Sequence, residues 1–405
     1  MNELKYHSIY LFLCDDFSGG TILSYGLEDV VICTNYEYDN VIDCKGGTIL
    51  PGFTDAHTYP VWGGERVDDF IQRVAGASYM ELTDNVNSSN TDYTVEQTAN
   101  SSEEVLYAAA LKRIKSMTSK GTTAVECKTG YSSSWTTERK ILRILTKLKR
   151  ELPLDISITY FAASVLSKNA SPDEIVEDVV QRRLPDLQSS IENGEIEVDN
   201  IDVRCADGFF TIDQSRRILA KAMDMGLKLN FHAENFSNGS AADLAASLKA
   251  RAVSHLDEVS PAGVAALTAS RTAAVLLPAT TLLLRRRPPP AVAIAQAGVP
   301  VALGTDFKAN LFCTSMPIVM YLACTTLGLT LEQALTAATI NAAYSINLSH
   351  KLGAITEGRQ GDFVVINTKR WENIIFRLGE SQELIEYVIK KGKVVYSKQT
   401  GRVSF

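Results

Sequence analysis

Short apolar runs of strand type recur through the middle of this chain, and four of them lead to a histidine or an aspartate. Val299 to Leu303 runs into Gly304-Thr305-Asp306, Thr48 to Phe53 leads to Asp55 and His57, Leu227 to Phe231 to His232, and Arg251 to Ser254 to His255. Four more runs lie at 122–126, 156–161, 200–204 and 273–277. Runs of this length bounded by polar and glycine residues are strands, and most intervals between them can hold a helix. Ser101-Ser102-Glu103-Glu104 reads as a capping box ahead of Tyr107, Leu111, Ile114 and Met117 at helical spacing, and Gly121 stops the run. Ile141, Leu142, Leu145 and Leu148 mark a second amphipathic helix. Ile218, Leu219, Ala222 and Met223 mark a third, ended by Gly226. Eight βα units in about 300 residues predict an α/β chain folded as a (β/α)8 TIM barrel, in which chemistry gathers at the C-terminal ends of the strands. No dinucleotide or phosphate-loop glycine fingerprint follows any of the strands.

The flanks have a different texture. Ser8–Leu13, Asp29–Thr34 and Val41–Cys44 are β-rich and broken by Gly, Asp and Asn, and Phe363–Ile366, Tyr387–Ile389 and Lys393–Tyr396 repeat that pattern near the other end. Residues 1–50 and 350–405 are therefore expected to build one small β-sandwich domain together, beside a barrel of residues 51–349. The net charge of −7 over 405 residues argues against a nucleic-acid or anionic-membrane partner. No apolar run reaches membrane-spanning length, and Met1–Asp15 lacks the basic flank and long apolar core of a secretory signal. Seven cysteines, odd in number and without paired spacing, read as reduced thiols in a cytoplasmic protein.

The chain has five histidines, and three of them stand just past these apolar runs. A lone histidine at a strand end is usually a hydrogen-bonded structural residue. Four polar residues at four strand ends of one barrel favour a site. His57, His232 and Asp306 have the donor chemistry of a divalent metal centre, since two neutral imidazoles and a carboxylate suit Zn²⁺ or Fe²⁺ with a position open for water. Such an ion lowers the pKa of that water toward neutrality. His255 reads as a further ligand, or as a base and electrostatic partner.

Pro51-Gly-Phe-Thr-Asp-Ala-His57 and Gly304-Thr-Asp306 resemble the amidohydrolase superfamily. Val125-Glu-Cys-Lys-Thr-Gly-Tyr131, Asn200-Ile-Asp-Val203, Ser254-His-Leu-Asp-Glu-Val-Ser260 and Ala337-Ala-Thr-Ile-Asn-Ala-Ala-Tyr344 are similar to the imidazolonepropionases within it, the animal form above all. The resemblance runs through nearly the whole chain. It implies that hydroxide generated on the metal attacks the carbonyl of the imidazolone ring of a small anionic substrate, and that the ring C–N bond then breaks to give N-formiminoglutamate. It implies Arg66 as the holder of the propionate, Tyr131 as a hydrogen-bond donor to substrate, Tyr79 as a pocket wall, His255 as an aid to proton transfer, and Asp306 as both ligand and proton carrier. A homodimer is compatible with the resemblance, although no residue of the sequence itself points to one.

The chain departs from that pattern at site positions. Where the family has a second histidine after the first strand, this chain has Tyr59, a ligand only if the metal removes its proton. Ser164 replaces a histidine facing the substrate, Asn235 replaces a glutamate and has Glu234 beside it, and Lys308 replaces an asparagine. Asn85-Val-Asn-Ser-Ser-Asn-Thr91 replaces a glycine-rich loop. Ser164, Asn235 and Lys308 are thus the candidate substrate contacts that differ. These substitutions also describe a homologue without turnover that binds a ligand or serves as a partner, or an amidohydrolase of another cyclic amide.

Overall fold

The computed structural model describes residues 10–13, 40–76, 90–132, 134–164, 170–234 and 240–405. Strands β1 (Tyr10–Leu13) and β2 (Asn40–Asp43) pair antiparallel. β3 (Thr48–Pro51) and β4 (Phe53–Thr58) follow as one extended ribbon broken only at Gly52. Helices then alternate with β5 (Thr122–Lys128), β6 (Asp155–Ala163), β7 (Asn200–Cys205), β8 (Lys228–Ala233), β9 (Ala252–His255), β10 (Ala273–Leu276) and β11 (Val301–Leu303). β4 to β11 form one parallel sheet in sequence order. Its two ends meet: Thr58 bridges Phe307 in parallel, Tyr59 N donates to Phe307 O at 2.8 Å, and Asp306 N donates to His57 O at 3.0 Å. The sheet thereby closes into the barrel that the strand count predicts.

The last strands, β12 (Phe363–Ile366), β13 (Ile385–Lys390), β14 (Lys393–Ser397) and β15 (Arg402–Val403), join β3 in a five-stranded antiparallel sheet of order β3-β12-β13-β14-β15. Strand alternation makes this sheet two-faced. Val364 and Ile366 enter the main core, whereas Phe363 and Val365 pack with Ile42, Cys44 and Ile49. The expected strand at 29–34 lies outside the described residues.

Two expectations change. The first barrel strand begins at Phe53, while Thr48–Pro51 pairs with Phe363–Ile366 in the outer sheet. The switch occurs at Gly52, whose N–H goes to Asp362 O while Phe53 N–H goes to Gly121 O. A Cβ on Gly52 would lie 2.6 Å from the Thr123 methyl, so only glycine lets the ribbon cross there. Asp55 and His57 consequently stand within a strand. The capping box at Ser101–Glu104 also does not form. Ser101 Oγ donates back to Gln97 O at 2.7 Å, and the helix Glu103–Thr118 is capped instead by Ser102, which accepts Val105 N–H.

The outer sheet is joined to the start of β6 by a buried charge cluster. Lys390, with no exposed surface, contacts Asp155 and reaches Asp362 at 2.6 Å. Lys351 pairs with Asp155 at 2.7 Å, and Gln360 Nε2 donates to Asp155 and Asp362 at 2.7 and 2.8 Å. No helix of the described residues is long and apolar enough to cross a membrane. The described cysteines, Cys44, Cys127, Cys205, Cys313 and Cys324, are free thiols.

Candidate active site

Every second residue of a barrel strand points inward, so each strand delivers its polar positions to the interior in layers. In the lower layer Lys128 lies between Glu126 at 3.1 Å and Asp202 at 2.9 Å. Asp202 in turn receives His232 Nδ1 at 2.9 Å. This fixes the His232 tautomer and aims Nε2 up the barrel, in the way a carboxylate behind a ligating imidazole does. The His232 ring is stacked on Phe161, with centroids 4.7 Å apart. On the opposite wall His57 Nδ1 bonds Ser254 Oγ at 3.0 Å. Asp55, just below, takes Thr305 N–H at 2.9 Å and Thr305 Oγ at 2.6 Å, tying β4 to the segment after β11. Burial pushes the Asp55 carboxyl up to about 7, against the pull of those hydrogen bonds.

The two upward nitrogens converge on one atom. Tyr59 Oη lies 3.0 Å from His232 Nε2 and 3.3 Å from His57 Nε2. One set of protons satisfies the whole chain: Ser254 donates to His57 Nδ1, His57 Nε2–H to Tyr59, Tyr59 to His232 Nε2, and His232 Nδ1–H to Asp202. Burial, reinforced by the charges of Lys128, Arg204 and Lys308, holds the His57, His232 and His255 pKa values well below the ordinary imidazole range, so the rings are neutral. Burial, followed by the charges of Asp202 and Asp306, holds the Tyr59 phenol well above its ordinary value. His255 completes the ring cluster, its centroid 5.0 Å from His232 and 6.1 Å from His57.

Asp306 closes the site. Its Oδ2 accepts Thr280 Oγ and, at 2.6 Å, Lys308 Nζ. Its Oδ1 is buried, lies 3.7 Å from His57 Nε2, and has no hydrogen-bond partner among the described residues. Glu234, His255 and Asp306 all have left-handed backbone, with φ of 53°, 80° and 51°. Such conformations cost about 1–3 kcal/mol each in non-glycine residues and collect where surrounding structure holds functional groups in place. Gly304 sits directly behind His57, and a Cβ there would lie 2.7 Å from His57 Cβ. Gly304→Ala is therefore expected to cost about 1–3 kcal/mol of stability, the usual scale of core overpacking. It should also push His57 off Tyr59, which thermal unfolding and an activity assay would both register.

The other expected residues divide. Tyr131 joins the wall, edge-on to Tyr59 at 6.2 Å, and its Oη accepts Ala309 N–H at 3.0 Å. Ser164 is buried one residue past β6. Glu234 directs its carboxylate to the N–H of Ala242 at 3.1 Å. Arg66, buried at the start of the helix Val67–Val74, is ion-paired with buried Asp69. Asn235, Tyr79 and the 85–91 segment lie outside the described residues. Sequence reading passed over Lys128, Asp202, Arg204, Ser254 and Thr280 as individual site groups. For the strand residues Lys128, Asp202, Arg204 and Ser254 the signal is a charged or hydroxyl side chain within an apolar run, whereas Thr280 lies in the helix Pro278–Leu283 and carries no such signal.

A family model, the amidohydrolase family, matches residues 48–395, which spans both the barrel and the outer sheet. The probable imidazolonepropionase of Xenopus tropicalis is 46% identical over 366 residues, covering 90% of this chain and 84% of the relative. The human protein of the same name is 45% identical over 359 residues, covering 89% and 84%. The chain belongs to the imidazolonepropionase group of the amidohydrolase family. Solved amidohydrolase-like structures agree on the fold. The 5-methylcytosine deaminase of Klebsiella pneumoniae, liganded with phosphonocytosine, superposes with a TM-score of 0.71 at 15% identity, over 95% of this chain and 94% of that one. Atrazine chlorohydrolase of Arthrobacter aurescens, complexed with zinc, gives 0.70 at 16% identity, over 97% and 91%.

The donor set of this amidohydrolase fits a divalent ion chemically. Two neutral imidazoles are held from behind, and a buried carboxylate oxygen has no hydrogen-bond partner among the described residues. Ser254 can accept as well as donate, so His57 can turn its Nε2 lone pair inward. Among the described residues no three His, Cys, Asp or Glu donors are already gathered around one point. The Tyr59 hydroxyl stands between the two nitrogens instead.

Proposed function

We propose that this chain is a hydrolase that opens the imidazolone ring of 4-imidazolone-5-propanoate to N-formimino-L-glutamate by cleaving the cyclic amide C–N bond, with one zinc or iron ion held by His57, His232 and Asp306. The observation that carries the reading is the convergence, in an imidazolonepropionase-type barrel, of two buried, neutral imidazoles and a carboxylate oxygen without a hydrogen-bond partner among the described residues. A divalent ion held by these residues would supply Lewis acidity toward the carbonyl and would lower the pKa of water toward neutrality.

The residues divide the remaining work. The Asp306 carboxylate would take the proton given up by the attacking water and return it to the ring nitrogen that leaves. Lys308 and Thr280 hold its Oδ2, which fixes the carboxylate's direction. His255, neutral and in contact range of the same space, hydrogen-bonds the carbonyl oxygen. Tyr131 and Ser164 line the wall, and the aromatic wall of Phe161 and Tyr59 excludes water from the ring. Tyr59 as a fourth ligand requires loss of a proton that its burial disfavours. Lys308 also balances the one carboxylate that an ion would meet, so metal binding is weak and turnover slow. The reading places the reaction in the cytoplasm, on a small anionic substrate, without a nucleic-acid or membrane partner.

Reconstitution of the purified protein with zinc or iron tests this. One metal per chain, together with imidazolone loss and formiminoglutamate formation, is the expected result. Neither metal uptake nor product after reconstitution sinks the reading, and ligand binding without turnover favours the non-catalytic homologue.

A further inference from the structure

Tyr59 and Lys308 come from the two sides of the seam that closes the barrel. Tyr59 N–H is held by Phe307 O at 2.8 Å, and Lys308 follows Phe307 directly. Packing sets the place of each. Lys308 exchanges two backbone hydrogen bonds with Leu311, both at 3.0 Å. The buried Tyr59 ring lies against Tyr131 and Phe161, each with its centroid 6.2 Å away. Gly130 stands so close that a Cβ there would lie 3.2 Å from the Tyr59 ring.

These two groups already hold what an ion would need. Tyr59 Oη engages Nε2 of both His232 and His57, at 3.0 and 3.3 Å. A hydroxyl both donates and accepts, so it satisfies one imidazole as donor and the other as acceptor. Lys308 Nζ brings a positive charge to Asp306 at 2.6 Å. The centre is therefore paired from within the chain, a hydroxyl serving the two nitrogens and an ammonium the carboxylate. A divalent ion approaching His57, His232 and Asp306 meets those partners at the same side chains. It can bind only after the Tyr59 hydrogen bonds are broken and His57 has moved its proton from Nε2 to Nδ1. The Lys308 charge repels a second cation at that range.

We propose that Tyr59 and Lys308 are an internal counterpart of the ion: they hold the centre together without metal, and a divalent ion binds only in exchange for them. The inference rests on the function proposed above for the three ligands, and on the contacts of Tyr59 and Lys308 for the exchange. It gives Tyr59 the opposite sign from a ligand. Removing a ligand weakens metal binding, whereas removing an occupant strengthens it.

The test is zinc affinity, which stands apart from turnover. Competition with a chromophoric chelator, and unfolding temperatures with and without zinc, are measured on wild type, Tyr59→Phe, Lys308→Met and the double variant. Tyr59→Phe keeps the ring and deletes only the hydroxyl. Without metal it should unfold about 2 °C or more below wild type, because two buried nitrogens lose their partner. Its zinc affinity should rise about 10- to 100-fold, the strength of two hydrogen bonds that no longer have to be broken. Zinc should therefore raise its unfolding temperature more than that of wild type. Lys308→Met should bind zinc at least about 10-fold more tightly than wild type, through loss of the repelling charge, and the double variant more tightly than either single one. His232→Ala in the Tyr59→Phe background should abolish the rise. Zinc affinity that is unchanged or weaker in folded Tyr59→Phe overturns the proposal, as does a rise that survives His232→Ala. Should Tyr59→Phe fail to fold, an unchanged or weaker affinity in Lys308→Met overturns it instead. Tighter zinc binding by the variants without imidazolone turnover leaves this inference standing while the proposed reaction fails. Turnover by wild type with weaker zinc binding in Tyr59→Phe does the reverse.

Discussion

His232→Ala is expected to abolish measurable imidazolone turnover, a loss on the order of 10³-fold or more, the scale on which removal of a preorganised electrostatic group acts. It should also abolish metal retention. The ring does three things at once: it presents Nε2 to the central position, anchors Nδ1 on Asp202, and stacks on Phe161. Alanine removes all three and leaves Asp202 with Lys128 and the backbone N–H of residue 232. Asp202→Asn separates these contributions. The ring stays, but the asparagine no longer dictates which nitrogen carries the proton, and a loss of about 10- to 100-fold in metal affinity or activity is expected. Metal analysis after dialysis and a steady-state assay on both variants check the order. Equal activity in His232→Ala and wild type would remove the imidazole from the reaction altogether.

The second large effect concerns stability. Lys390→Met should cost about 3–5 kcal/mol at neutral pH, the usual penalty for removing one partner from a buried ion cluster. The substitution removes the Lys390 cation from Asp362 and leaves Asp155 with the Lys351 cation alone, both carboxylates nearly inaccessible to water. The pH dependence has a definite sign. Burial alone would raise the Asp155 carboxyl, but Lys390, Lys351 and Gln360 outweigh it and hold the group well below the ordinary carboxylate range. A depressed folded-state pKa contributes stability that is fully present above the unfolded value of about 3.9 and is lost as pH falls toward the folded value. Wild type should therefore lose this contribution below about pH 4, and the gap between wild type and Asp155→Asn should narrow over the same acidic range. Denaturant unfolding at a series of pH values measures both. A pH-independent gap would show that Asp155 acts through packing alone.

The barrel was legible because its evidence is local. Apolar runs of strand length, their helical intervals and the polar residues at their ends can be read one segment at a time, and His57, His232, His255 and Asp306 do come together. The boundary at Gly52 was not legible in this way. Thr48 to Phe53 is a continuous β-type run, and only the neighbours, Thr123 on one side and Asp362 on the other, decide where one sheet yields to the next. Asp202 gains its meaning from bonding His232 across the β7–β8 ladder, a relation between segments about 30 residues apart that periodicity does not report. The pairing of Arg66 with Asp69 was legible, since Asp69 follows at the i,i+3 spacing that brings helical side chains together. Tyr59 read as a missing histidine. Its hydroxyl stands at the meeting point of two imidazoles, which depends on side-chain length and strand tilt.

The ribbon from Thr48 to Thr58 carries one further implication. Its first half is an edge strand of the outer sheet, and its second half holds His57. Only Gly52 separates them, with no slack residue to absorb motion. The outer sheet and the reaction centre therefore form one cooperative opening unit, and a fluctuation that frays β3 is transmitted along the backbone to His57. Loosening substitutions placed far out on β12 or β13 would accordingly degrade the site before they unfold the barrel, so that the peripheral sheet acts as a tensioner for the catalytic strand.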